Sequence, residues 1–155
     1  MDEKQQKKFM RLAIKQALKA QQLDEVPIGA VIVVDGKVIA RAHNLMEKTQ
    51  LATAHAEISA INKACKKLKS WRLDNAEMFI TVEPCAMCAG AIANARIKKV
   101  YFGAFESKSG CAVSKYPVLS DNGLNHTTEF VGGVEQEVCA SIIKNYFKAK
   151  RVKKP

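Results

Sequence analysis

The sequence predicts a single-domain α/β protein built on a mixed five-stranded sheet, flanked by helices on both faces. Three observations carry this. Short β-branched runs alternate with stretches of helical periodicity. A strong turn signal, Asp35-Gly36, joins the first two runs into an antiparallel hairpin. The later runs are separated by segments long enough for the crossovers of β-α-β units, which are expected to be parallel and right-handed. With 155 residues, 48% of them apolar, one domain over residues 1–155 can bury a sizeable core without disulfides.

Residues 2–21 read as an amphipathic helix, with Phe9, Leu12, Ala13, Ala17 and Ala20 near helical spacing. A turn containing Asp24 and Pro27 follows, then strands at 29–34 and 37–42. Residues 44–53 are polar and loop-like. The next helix spans 54–68, with Ile58, Ile61, Ala64 and Leu68 on its core face and Thr53 as a candidate N-cap. A strand at 76–82 leads to Pro84, which suits a first helical position, and that helix runs to about residue 95. Residues 99–103 form a strand, 104–125 a loop with room for a short helix, and 127–131 a further strand. After Gly132-Gly133 a basic C-terminal helix and tail cover about 134–155, with Val138, Ile142, Ile143, Tyr146 and Phe147 as its apolar stripe.

Apolar runs such as 28–34 fall far short of the roughly 20 residues of a membrane span. The start, Met1-Asp2-Glu3-Lys4-Gln5, has no apolar signal region behind it, so a cytoplasmic location is expected. The five cysteines are an odd set that suits a reducing compartment. Cys65, Cys111 and Cys139 sit in no motif and read as small buried hydrophobes. The net charge of +10 suits a polyanionic partner, nucleic acid first, and equally a surface merely coated with lysine. The charge gathers in two groups, one at Lys63, Lys66, Lys67, Lys69 and Arg72, the other at Lys148, Lys150, Arg151, Lys153 and Lys154.

The chemistry lies in His55-Ala56-Glu57 and Pro84-Cys85-Ala86-Met87-Cys88. An imidazole and two thiols give three zinc ligands, and a catalytic zinc site keeps its fourth position for water. Both motifs fall at strand-to-helix junctions, where the helix N-terminus favours thiolates. Ligands usually bind such a sheet at this edge. Glu57 is two residues from His55 and does not project along the same line. It can therefore serve a metal-bound water without ligating the metal, and general acid–base help of that kind is worth about 10² to 10⁴ in rate. A structural zinc site would need a fourth ligand from His43, His126 or a stray cysteine, all at unrelated spacings. A redox pair Cys85/Cys88 would leave His55 and Glu57 without a purpose.

These residues resemble the zinc-dependent cytidine deaminase superfamily, and within it the tRNA-acting adenosine deaminases of bacteria. The His-x-Glu and Pro-Cys-x-x-Cys pair is the mark of the superfamily. Two blocks carry it: Ala54-His55-Ala56-Glu57-Ile58, and Glu83-Pro84-Cys85-Ala86-Met87-Cys88-Ala89-Gly90-Ala91-Ile92. Two more point to the tRNA-acting branch: Val26-Pro27-Ile28-Gly29-Ala30-Val31, and Gly132-Gly133-Val134 leading into Asn145-Tyr146-Phe147-Lys148.

The resemblance implies a cytidine deaminase-like fold, with one zinc ion per subunit held by His55, Cys85 and Cys88. Glu57 would shuttle protons while water attacks C6 of adenine, leaving inosine at the wobble position of a tRNA anticodon stem-loop. It also implies that Asn44 meets the base, that Val26, Pro27 and Ile28 wall its pocket, that Ala56 offers backbone polar groups, and that the chain is a homodimer. Glu106 is an acidic position that could meet a ribose hydroxyl. Many bacterial relatives carry Asp there, and Cys111 likewise replaces a small residue. Tyr146 and Phe147 offer stacking rings beside the cationic Lys148, Lys150 and Arg151. The alternative within enzymes is a deaminase of free guanine, cytosine or cytidine, which has no need for that basic, aromatic helix. A non-catalytic RNA-binding subunit would tend to lose the carboxylate that Glu57 retains. His126, in a loop near the sheet, is a further candidate for touching substrate.

Overall fold

The structure is a computed structural model and describes residues 1–153, with Lys153 described by its backbone alone. Helix α1 (Glu3–Gln22) starts at a capping box: the Asp2 carboxylate accepts from the Gln5 N–H, and the Gln5 side chain accepts from the Asp2 N–H. Strands β1 (Gly29–Val34) and β2 (Lys37–His43) follow, then the short α2 (Met46–Thr49) and α3 (Ala56–Leu68). Strand β3 (Ala76–Val82), α4 (Ala86–Asn94), β4 (Lys99–Ala104), β5 (Glu129–Gly132) and α5 (Gln136–Lys153) complete the order. Asp35 and Gly36 turn the hairpin with φ of 51° and 76°, the pair of left-handed residues that matches strand twist in a two-residue loop.

The sheet has five strands in the order β2-β1-β3-β4-β5. The first hairpin is antiparallel and β3, β4 and β5 are parallel, as predicted. Not predicted is that β1 also pairs antiparallel with β3. Helix α3 thus carries the chain over β1, from β2 to a third strand running in the same direction as β2. The carboxyl ends of β2, β3, β4 and β5 and the amino end of β1 therefore share one edge of the sheet.

Alternation along the strands feeds two cores. Ala30 and Ile32 of β1 face Ala60 and Ala64 of α3 and Ala89 and Ile92 of α4. Val31 and Val33 face Phe9, Met10 and Ala13 of α1, and Cys139 of α5 belongs to that same core. Phe79 anchors the second core, stacked on Tyr101 at 4.5 Å between ring centres and tilted against Phe9 at 5.4 Å.

Several boundaries differ from expectation. Helix α2 forms inside the polar 44–53 segment, and among the described residues 104–125 fold as successive turns with no helix. His55, not Thr53, is the N-cap of α3, and Pro84 precedes the N-cap Cys85 instead of opening α4. Helix α5 begins only at Gln136, after Glu135 in a left-handed conformation (φ 55°), and of its expected stripe Ile142 and Ile143 pack against the core. Val138 is 47% exposed and Phe147 43% exposed, whereas Cys139, at 1%, faces the core. Cys111 is also buried and Cys65 half-buried, in keeping with their reading as plain hydrophobes. Of the C-terminal basic group, Lys154 lies outside the described residues.

Gly29 sets how closely α1 sits on the sheet. A Cβ there would run into the Ala13 carbonyl, the Ala17 amide and the Gln16 side chain. Gly29→Ala is expected to lower stability by about 1–3 kcal/mol, the range for overpacking a dense core. Urea unfolding checks this, and an unchanged midpoint would contradict the close approach.

Candidate active site

The shared strand edge places the motifs. β2 ends into the segment leading to α3, and β3 ends into α4, so the two helix N-termini meet. His55 and Cys85 are the respective N-caps, both in extended conformation, and neither side chain caps its own helix. They turn toward each other instead. His55 Nδ1 lies 3.7 Å from Cys85 Sγ and 3.4 Å from Cys88 Sγ, the latter one turn into α4. The three donor atoms lie within 4.8 Å of one another, and among the described residues no other His, Cys, Asp or Glu joins the group. That spacing and donor set fit a tetrahedral ion with one position left open.

The electrostatics agree. A hydrogen bond from the Cys88 thiol, reinforced by one from His55, outweighs burial and draws the Cys85 thiol down to about 4. The same shared hydrogen bond pushes Cys88 far up, with burial and the facing Glu57 adding to it. His55 is raised by its hydrogen bond to Cys85, against burial. The sulfurs thus hold one proton between them beside a basic ring, and a divalent cation replacing that proton would satisfy all three donors. Glu57, in the first turn of α3, is 4% exposed, and burial raises its carboxyl above the usual range.

Beside the trio lies a cavity of about 150 Å³, walled by Val26 and Ile28 before β1, Asn44 and Met46 after β2, and His55, Ala56 and Glu57 of α3. Asn44 is 4% exposed; its N–H donates to the Ile28 carbonyl at 3.1 Å, while its side-chain Oδ1 has no partner. Buried polar atoms are rarely left so, and this one belongs to a side chain lining the cavity. Val26 also borders a groove of about 800 Å³ that includes Tyr146, Phe147, Lys150 and Lys48.

The other sequence candidates divide. Tyr146 and Phe147 border the groove, whereas Arg151 is exposed and lines neither space. Pro27 is buried but is not part of the cavity wall, because its neighbours Val26 and Ile28 take that place. Glu106 lines neither space; its carboxylate accepts from the Lys108 N–H at 2.9 Å. His126 holds the Ile97 carbonyl through Nε2 at 2.9 Å. Ile97 precedes the amino end of β4, so His126 sits at the opposite end of the sheet from Cys85 and does not approach the trio. His43 is held by Gln16 at 3.0 Å.

Sequence reasoning missed Met46, hidden in a segment read as loop, and the structural role of Glu83. The Glu83 carboxylate accepts from the N–H groups of Glu106, Ala112, Val113 and Ser114 and from the Ser114 hydroxyl. It therefore clamps the loop after β4 against the start of α4. Burial would raise its carboxyl, but these hydrogen bonds outweigh burial and lower it. Its place next to Pro84-Cys85 was the available signal.

A His–Cys–Cys group able to hold a metal ion, with a buried carboxylate beside it at the carboxyl edge of this five-stranded sheet, fits a deaminase of the cytidine deaminase-like class. The chain belongs to the MafB19-like deaminase family, whose profile matches residues 4–151. It is similar to the tRNA-specific adenosine deaminase of Bacillus subtilis, with 48% identity over 94% of this chain and 91% of that one. The tRNA-specific adenosine deaminase of Agrobacterium fabrum is 42% identical over 93% and 95%. Among solved structures, a chain studied for A-to-I editing by tRNA:A34 deaminases superposes with a TM-score of 0.84 and 43% identity, covering 86% of this chain and 97% of that one. A guanine deaminase from Nitrosomonas europaea, at 20% identity and a TM-score of 0.79, shares the fold.

In protein stripped of metal, alkylation at pH 6 is expected to label Cys85 ahead of Cys65, Cys111 and Cys139, because its thiol titrates at about 4 while burial raises each of the other three. Added zinc should suppress that labelling. Peptide mass mapping reads both, and labelling indifferent to zinc would exclude Cys85 as a ligand.

Proposed function

We propose that this chain is a zinc-dependent hydrolase that converts adenosine to inosine in RNA, at the wobble position of a tRNA anticodon stem-loop. The observation that carries the reading is the base-sized cavity, lined by Glu57, by Asn44 with its unpartnered Oδ1 and by His55 of the His55–Cys85–Cys88 trio. Its small volume suits a single flipped base rather than a larger ligand. Relatives named for the same reaction, similar over nearly the whole chain, support the choice of substrate. The proposal extends to one zinc ion per subunit and to a homodimer acting in the cytoplasm. Among the described residues no helix is long and apolar enough to cross a membrane.

His55, Cys85 and Cys88 would hold the zinc. When bound, zinc lowers the pKa of water from 15.7 to about 7. Glu57 would accept a proton from the attacking water as its oxygen bonds to C6 of adenine. Its carboxyl, raised above the usual range by burial, would pass that proton to the purine ring nitrogen and a second one to the amine as its bond to C6 breaks and it leaves as ammonia. Asn44 fixes the base through its side-chain amide, and Val26 and Ile28 close over its faces. The groove sharing Val26 takes the flanking nucleotides, with Tyr146 and Phe147 for stacking and Lys48 and Lys150 for phosphates. Arg151 and Lys148 extend that cationic face along α5.

Purified protein offered an adenosine-containing anticodon stem-loop beside guanine, cytosine and cytidine is expected to release ammonia and form inosine from the RNA alone. Turnover of a free base would instead support the alternative reading. Glu57→Ala should keep zinc and RNA binding yet lower turnover by about 10² to 10⁴ or more; near-normal inosine formation would remove Glu57 from its role. Stem-loop binding should also weaken steeply with salt as phosphate contacts release counterions. Binding measured by fluorescence anisotropy that stayed level from low to high salt would argue for a small neutral substrate.

A further inference from the structure

We infer that Glu25, which lines neither the cavity nor the groove, is a positioning residue: its buried carboxylate caps α2 and so holds Asn44 in the base pocket. The inference rests on the reading of Asn44 as a base contact.

Glu25 is 0% exposed, an unusual place for a carboxylate. Its two oxygens accept from successive backbone amides of α2, Glu47 N–H at 2.9 Å and Lys48 N–H at 2.7 Å. These are donors that the start of a helix leaves unsatisfied. The N-cap residue of α2, Leu45, supplies no side-chain hydrogen bond, so a side chain more than 20 residues earlier does the capping. A helix of four residues has no stability of its own. What fixes α2 is therefore what binds its amides.

The neighbouring bonds give α2 its bearing on the site. Asn44 N–H is held by the Ile28 carbonyl at 3.1 Å and Leu45 N–H by the Ala54 carbonyl at 3.0 Å. Beyond Leu45 the Glu25 carboxylate takes over, fixing the turn that carries Met46, itself a wall of the cavity. Glu25 is fixed in turn by its own N–H, which donates to the Ala20 carbonyl of α1 at 3.0 Å, and it directly precedes Val26, another wall. One buried side chain thus ties the two sides of the base pocket to the end of α1. A glutamine of the same size offers one acceptor oxygen and turns its NH₂ toward the second amide, so Glu25→Gln separates the doubly accepting carboxylate from mere filling of space.

The test compares Glu25→Gln, Glu25→Asp, Asn44→Ala and the double variant Glu25→Gln/Asn44→Ala. Phe9→Leu, in the core on the α1 face of the sheet, is the control for general destabilisation. Zinc content, steady-state inosine formation on the stem-loop and amide hydrogen exchange of residues 45–49 are measured for each. Glu25→Gln is expected to keep its zinc, to lose protection at 45–49, and to lower kcat/KM about 10- to 100-fold, as small misplacements of positioning groups do. On the Asn44→Ala background the same change should cost less than about 2-fold, the mark of two residues acting as one unit. Glu25→Asp, which keeps the charge but withdraws it by one methylene, should fall between. Additive losses in the double variant, a comparable activity loss in Phe9→Leu, or unaltered exchange at 45–49 would each overturn the inference. If the native protein forms no inosine, the functional reading falls, and Glu25 is judged by exchange alone: lost protection at 45–49 upholds the cap and unchanged protection refutes it.

Discussion

The direction of β1 is the constraint on which the site depends. Because β1 runs antiparallel to both β2 and β3, those two strands point the same way with β1 between them. A chain leaving β2 and a chain leaving β3 then emerge at one edge, and each turns into a helix whose first residues face the other. Had β1 been parallel to β3, the segment 26–28 would have lain at the far edge and the base cavity would have lost a wall. The parallel pairing of β3, β4 and β5 brings the loop after β4 to the same edge, where Glu83 secures it. Few long-range pairings therefore assemble residues from four separate segments.

Three buried carboxylates serve this edge, and their surroundings sort them by purpose. Glu25 accepts two backbone N–H groups and Glu83 accepts four, with a hydroxyl besides. Both groups act as fasteners, and for Glu83 these bonds outweigh burial and lower its carboxyl. Glu57 is equally buried, but its surroundings raise its carboxyl instead of lowering it. In the proposed function, the carboxylate whose burial outweighs its hydrogen bonds, beside the cavity and the His–Cys–Cys trio, is the one assigned to carry a proton.

Much of this was legible in the sequence. The strand limits of β1 and β3 and the turn at Asp35-Gly36 follow from local patterns, and the spacing within His55-Ala56-Glu57 and Cys85-Ala86-Met87-Cys88 announced the trio. Local patterns do not encode strand neighbours, so the place of β1 between β2 and β3 could not be read. They also failed where a distant side chain decides. Helix α2 exists because Glu25 caps it, so its own residues read as loop, and Met46 was overlooked with it. The face of α5 was read in part: Ile142 and Ile143 pack against the core as expected, while Cys139 and not Val138 takes the buried place one turn earlier. Pro27 and His126 were drawn toward the site by their neighbours in sequence, but backbone alternation buries the first and strand direction sends the second to the opposite end.

The metal trio cannot choose a substrate, since the sharing of this fold with a guanine deaminase shows how little the framework decides. The choice must come from the surface around the cavity, and that surface is held differently. The cavity is fixed by buried backbone bonds and by Glu25. The groove beside it is closed by contacts exposed to water: Lys150 pairs with Asp24 at 2.6 Å, and the Tyr146 hydroxyl donates to the Asp24 carbonyl at 3.3 Å. Exposed ion pairs are screened and contribute little to stability. An arriving polyanion competes directly for Lys150, so this contact can open at small cost where a buried one could not. In the proposed function, a pocket held by buried bonds would take the reacting base, and the cationic wall beside it, held by exposed contacts, would take the longer, charged strand in which that base is embedded.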